Sequence, residues 1–159
     1  MTRLIVFILA AAGLFAQTHV AISTQTSVTS DKLTLQHSPS NPTRIQACAF
    51  VAQSTVDGTV KIEVGGTAPT STAATRSPIS PGGSSAKALA YSASDVGTGT
   101  TISILYKLTA NVPLTINLKG IRLAGPGTTR NVTGVIALGS AGNVSSSIFW
   151  SEEGLQCAN

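Results

Sequence analysis

Residues 44–64 read RIQACAFVAQSTVDGTVKIEV, and the fold class turns on them. Ile45, Ala47, Ala49 and Val51 recur at every second position. That period places them on one face of an extended strand at 44–54, with Cys48 and Phe50 on the other. Apolar side chains on both faces imply a strand covered from both sides, or one near the end of a sandwich. Asp57-Gly58 follows, and Val60, Ile62 and Val64 resume the alternation. Asp-Gly between two alternating runs is the strongest short-range hairpin signal, since its two-residue turn asks positive φ of both residues. A hairpin at Asp57-Gly58 is therefore expected.

The same period extends in both directions. Val20 and Ile22 alternate with polar neighbours, as do Leu33 and Leu35, before a proline-rich break at Ser38–Pro42. On the C-terminal side, 86–92 carries Leu89 and Tyr91. The strongest alternation is Thr101–Thr109, with Ile102, Ile104, Tyr106 and Leu108 on one face. Leu114, Ile116 and Leu118 predict a further strand, and two more are expected at 131–138 and 144–151. Turn signals at Asp95–Gly99 and Gly125-Pro126-Gly127 separate them. Residues 65–85, rich in Pro, Gly, Ser and Thr, predict a long exposed loop. Eight or nine short strands with no helical period predict an all-β, two-layer antiparallel β-sandwich, immunoglobulin-like in general pattern only. No residue period recurs as it would in a solenoid or propeller.

At 159 residues the chain fits one domain. Residues 1–16, MTRLIVFILAAAGLFA, place Arg3 before an apolar run from Leu4 to Ala16. That run is the length of an export leader and falls short of the ~20 residues of a membrane helix. Cleavage is expected after Ala16, or alternatively after Ala21, so residues 17–159 form the domain and no transmembrane segment follows cleavage. The expected location is secreted, extracellular or periplasmic. There an oxidising environment favours pairing Cys48 with Cys157, the only cysteines. Two buried thiols or a bond between chains are the alternatives.

Charged residues are only 10% of the chain against a usual quarter, and Ser, Thr, Gly, Ala and Asn replace them. The formal net charge of +4 is spread singly, with no polybasic face to read nucleic acid. Catalysis needs convergent acids, bases or nucleophiles. His19 and His37 are expected to be solvated, Asp57 and Asp95 fall in turns, and Glu152 and Glu153 would face opposite ways on a strand. No nucleophile elbow, zinc helix or phosphate loop occurs. Two cysteines without nearby histidines do not make a metal site. No enzyme, metal or cofactor is expected.

Two features point to contact rather than catalysis. Period two puts Trp150 in the core and its neighbour Phe149 on the opposite face, a candidate ligand contact. Gln17–Ser30, carrying Val20, Ile22 and Val28, is a candidate for strand exchange with another copy or another surface protein. Asn131 and Asn143 each begin an N-glycosylation triplet. The expected function is a secreted, non-enzymatic structural, adhesive or assembly role. A carbohydrate- or ligand-binding module comes second and a small secreted hydrolase third.

Overall fold

A computed structural model describes residues 18–37, 44–65, 75–78, 88–92, 100–123, 131–152 and 157. The expected leader, the break at 38–42, most of 65–85 and the turns at 95–99 and 125–127 lie outside the described residues. The described chain is all β and antiparallel, with ten strands and no helix. They are β1 (Thr18–Gln36), β2 (Ile45–Ser54), β3 (Gly58–Val64), β4 (Thr75–Pro78) and β5 (Leu89–Ser92). There follow β6 (Thr100–Thr101), β7 (Tyr106–Leu108), β8 (Leu114–Asn117), β9 (Arg122–Leu123) and β10 (Asn131–Glu152).

Two strands organise everything. β1 has 19 residues and β10 has 22, and they pair from Thr18↔Ser151 to Gln36↔Asn131. Sequence alternation divided each of them into two; both are continuous. β2 and β3 lie end to end along the other side of β10, β2 against 144–152 and β3 against 132–138. All three tracks bend at one level. The β1–β10 register slips between Gln25 and Ser30, where Ser27 has φ 54°. The β2–β3 track bends at Thr55–Asp57, and β10 bends at Gly139–Gly142, both at the same register level.

The bend folds one sheet into two layers. The first holds β4, the N-terminal half of β1, the C-terminal half of β10, β2, β8 and β9. The second holds β5, the other halves of β1 and β10, β3, β6 and β7. Their inner faces meet at Phe50 of β2, whose ring fills the space beside Gly134 of β10. They meet again where Ser146 Oγ donates to Asp31 Oδ2 at 3.1 Å. One core results, with Leu33, Leu35, Phe50, Ile62, Leu108, Ile136, Ile148 and Trp150 among its largest members. Cys48 and Cys157 are joined in a disulfide, with Cα atoms 5.3 Å apart across a separation of 109 residues.

Four expectations are corrected. Asp57-Gly58 is not a hairpin: β2 and β3 do not pair with each other, and neither residue has positive φ. Glycine is needed there because a β-carbon on Gly58 would collide with the carbonyl oxygen of Ala137. Thr101–Thr109 is not one strand. Its pairing with β3 breaks at 102–105, where Ile62 N donates to Ser103 Oγ at 2.8 Å and Ile102 N donates to Ile62 O. Ile104 is 74% exposed as a result, while Leu108 is buried. Residues 75–78, inside the expected loop, form β4 against His19–Ile22. Finally, the alternation of 44–54 changes phase. Trp150 pairs with Ala47 and Phe149 with Ala49, so Cys48 is an extra residue in the ladder. Ile45 and Ala47 therefore face inward with Phe50 and Ala52, and Ala49 and Val51 face outward.

Candidate functional site

The outer face of the first layer is built from three adjacent strands in register. One row runs Val20, Phe149, Ala49; the next runs Ile22, Ser147, Val51; a third runs Thr24, Ser145, Gln53. β8 extends the first two rows with Asn117 and Thr115. None of these eleven side chains is charged. Val20, Phe149, Ala49, Ser147 and Val51 are half-buried, Ile22 is 46% exposed, and the third row is exposed. The alternation that buries His19, Ala21, Ile148 and Trp150 inward sends these residues outward.

Phe149 is thus the one aromatic of an apolar strip, flanked by Val20 and Ala49 rather than standing alone. Val20, Ile22 and Val28 lie in β1, which is hydrogen-bonded into its own sheet; Val28 sits at the register slip, half-buried. The opposite outer face differs in character. On the second layer, Lys61 pairs with Glu63 at 2.7 Å, and the hydroxyls of Thr34 and Thr133 share a buried 2.9 Å hydrogen bond.

A cleft of about 160 Å³ opens where the first layer reaches the bend. It is lined by Thr24, Gln53, Ser54, Thr55, Asn111, Asn143, Val144 and Ser145. Bonds across the bend fix its walls. Thr55 N donates to Asn143 O at 3.0 Å, Asn143 N to Thr55 Oγ1 at 2.9 Å, and Ser27 N to Asn143 Oδ1 at 3.2 Å. Asn111, with φ 61°, donates its N–H to Ser54 O at 2.7 Å and accepts from Gln53 Nε2 at 3.3 Å. Sequence patterning gave no signal for this cleft, since its residues come from four separate segments that only the folded sheet brings together.

The titratable groups lie elsewhere and inside. His19 and His37 are buried, contrary to expectation, because each belongs to or adjoins β1 where it is covered. Glu152 is buried too. Its Oε1 accepts the Trp150 Nε1–H at 3.0 Å and the Ala88 N–H at 2.8 Å, and its Oε2 lies 3.9 Å from His19 Nε2. The His19 ring stacks on Trp150 with centroids 5.5 Å apart. Burial holds the imidazole below its ordinary pKa, and Glu152 offsets part of that. Asp31, in the core between layers, is pushed up by burial, and bonds from Ser146, the Lys32 backbone and Ser23 partly offset the rise. These groups tie strands together: the Glu152 carboxylate joins the end of β10 to the approach to β5. Among the described residues no three of His, Cys, Asp and Glu gather as metal ligands. Asn131 is buried and Asn143 is exposed.

No known protein family, curated protein or solved structure matches the chain. No helix among the described residues is long and apolar enough to cross a membrane, which says nothing of spanning by strands.

Proposed function

We propose that the protein is a non-enzymatic extracellular domain with a structural, adhesive or assembly role, acting through the outer face of its first layer. One observation carries this: eleven uncharged side chains in three registered rows, with Phe149, Val20, Ile22 and Val51 as an apolar strip among hydroxyls and amides. Such a face loses little on desolvation and offers aromatic and branched contacts to a partner surface. Two further facts support a life outside the cytoplasm. The Cys48–Cys157 disulfide persists where thiols are oxidised, and residues 1–16 have the pattern of an export leader. The burial of His19, Asp31 and Glu152 favours a cohesive rather than a catalytic use of them.

Self-association and strand addition are both open to such a domain. Exchange of the segment holding Val20, Ile22 and Val28 would require β1 to leave its place between β10 and β4. Face-to-face contact needs no such opening and is the simpler route. A carbohydrate-binding module is the second reading, favoured by the single aromatic, Phe149, on a face that also bears hydroxyls and amides.

The test is a pair of surface changes, Ile22→Ser with Phe149→Ser, in the disulfide-bonded domain. Sedimentation velocity across a concentration series, with retention on hydrophobic and polysaccharide-coated beads, reads the contact. The variant is expected to lose association or retention while its melting temperature stays close to the parent's. A parent that is monomeric and unretained throughout, or a variant that behaves identically, contradicts the reading.

A further inference from the structure

We propose that the cleft at the bend is a sugar-binding subsite, holding one neutral ring of a glycan that runs along β10 toward Phe149. This rests on the reading of the protein as a contact-making domain and names the ligand class and the place of one contact.

The size of the cleft limits the ligand. About 160 Å³ is well below the ~300 Å³ at which sites for drug-sized molecules begin. A single ring is the scale that fits. Charge limits it further. Among the described residues no Lys, Arg, Asp or Glu lines the cleft, so no charged side chain among them would neutralise a phosphate, a carboxylate or an ammonium group. The ligand the walls suit is uncharged.

The hydrogen-bonding inventory points to hydroxyls. Among the described residues no hydrogen bond engages the hydroxyls of Thr24 on β1 and Ser145 on β10, which are paired in one register row. Gln53 spends its Nε2 on Asn111 O and keeps Oε1 open. Asn143 accepts Ser27 N on Oδ1 and keeps its amide donors open. The open set includes two hydroxyls that donate and accept, the Gln53 acceptor, the Asn143 amide donors and the Asn111 carboxamide. A polyol matches that alternation, since each of its hydroxyls also donates and accepts.

The site is also held in place before any ligand arrives. Thr24, Gln53 and Ser145 stand on paired strands, and Asn143 is fixed by its backbone and side-chain bonds to Thr55 and Ser27. Preformed donors lose less entropy on binding than mobile ones. Ser145 and Phe149 are four residues apart on one face of β10, about 13 Å along the strand. The intervening row, Ile22, Ser147 and Val51, is uncharged. A linear glycan seated in the cleft therefore reaches an aromatic face over continuous neutral ground.

Amide-resolved NMR titration of the disulfide-bonded domain tests this. The probes are methyl glycosides of glucose, galactose, mannose and N-acetylglucosamine, then the linear trisaccharide of each, with sodium phosphate as a charged comparison. At least one sugar is expected to give saturable shifts confined to Thr24, Gln53, Asn111, Asn143 and Ser145. Its trisaccharide should bind more tightly and extend the shifts to Phe149. Gln53→Ala should weaken binding roughly 2- to 10-fold, the worth of one ordinary hydrogen bond. Ser145→Trp, an exposed position whose new ring fills the cleft, should abolish it. Four results overturn the proposal: no saturable shift with any sugar at concentrations on the order of 10 mM, shifts centred elsewhere, equal shifts from phosphate, or binding untouched by Ser145→Trp. Bead retention or self-association that survives without sugar shifts overturns the cleft and leaves the contact reading standing. Loss of both removes both.

Discussion

The Phe50 ring on β2 lies against Gly134 of β10, with its Cε2 and Cζ where a β-carbon on residue 134 would have to stand. Phe50 belongs to the first layer and Gly134 to the second, so this contact joins the inner faces of the two layers. Gly134→Ala is expected to cost roughly 1–3 kcal/mol through overpacking. Phe50→Ala is expected to cost about 3–5 kcal/mol through the cavity it leaves. Because the added methyl occupies part of that cavity, the double variant should lose measurably less than the sum of the two. Urea midpoints of the four proteins check this; strict additivity would mean that the residues do not touch.

Gly58 separates the bend from a hairpin. A type I′ turn at Asp57-Gly58 would accept Asn at the second position. In the bent track, any β-carbon at residue 58 meets Ala137 O and Leu138 Cδ2, the latter at 2.8 Å. Gly58→Asn and Gly58→Ala should both lower the urea midpoint, by amounts corresponding to about 1–3 kcal/mol. A neutral Gly58→Asn would favour the hairpin.

The disulfide closes most of the domain into one loop. With its ends separated by 109 positions in sequence, the chain-entropy argument gives up to about 4–5 kcal/mol. The double variant Cys48→Ala with Cys157→Ala should melt well below the oxidised parent and should match the reduced parent. Mass spectrometry under non-reducing conditions should find no alkylatable thiol. An unchanged melting temperature, or two free thiols, contradicts the linkage.

Stability should respond to pH through two buried groups with opposite slopes. His19 titrates below its ordinary 6.5 in the folded chain because burial disfavours the imidazolium. As pH falls through 6.5 the unfolded chain takes the proton first, so stability is lost down to the lowered folded value. Asp31 titrates above its ordinary 3.8 because burial disfavours the carboxylate. As pH rises through that window the folded chain keeps the proton longer, so stability is lost there and stays lost above the raised value. His19→Phe, which keeps a ring on Trp150, should remove the acid-side loss. Asp31→Asn, which keeps an acceptor for Ser146, should gain on the parent at pH 7 and gain little near pH 3. Urea midpoints between pH 3 and 8 read both.

Period two located most of what became strands, and it placed Trp150 inside and Phe149 outside. It could not count them. Ala137 to Gly142 contains the small and polar residues that usually end a strand, yet β10 runs through them because neighbours on both sides bend with it. The phase change at Cys48 was hidden for the same reason: an extra residue in a ladder is decided by the partner strand, here between Phe149 and Trp150. Ile102 and Ile104 alternate well, but Ser103 Oγ takes the Ile62 N–H that a continuing strand would have taken with its backbone. His19 and Glu152 read as ordinary polar residues until Trp150 and Ala88 are brought to them. The outer face was half legible, through Phe149; the cleft depends on four distant segments converging and was not legible at all.

The most direct measurement of the folded-over sheet is the proton–proton contact between the Phe50 ring and the Gly134 α-hydrogens, read as nuclear Overhauser effects in the disulfide-bonded domain. Strong cross-peaks between them, with the Phe50 ring shielded from solvent paramagnets, are the expected result. A Phe50 ring that shows no cross-peak to residue 134 and is quenched by solvent paramagnets would mean that the two halves of β10 do not face each other, and the account would fail.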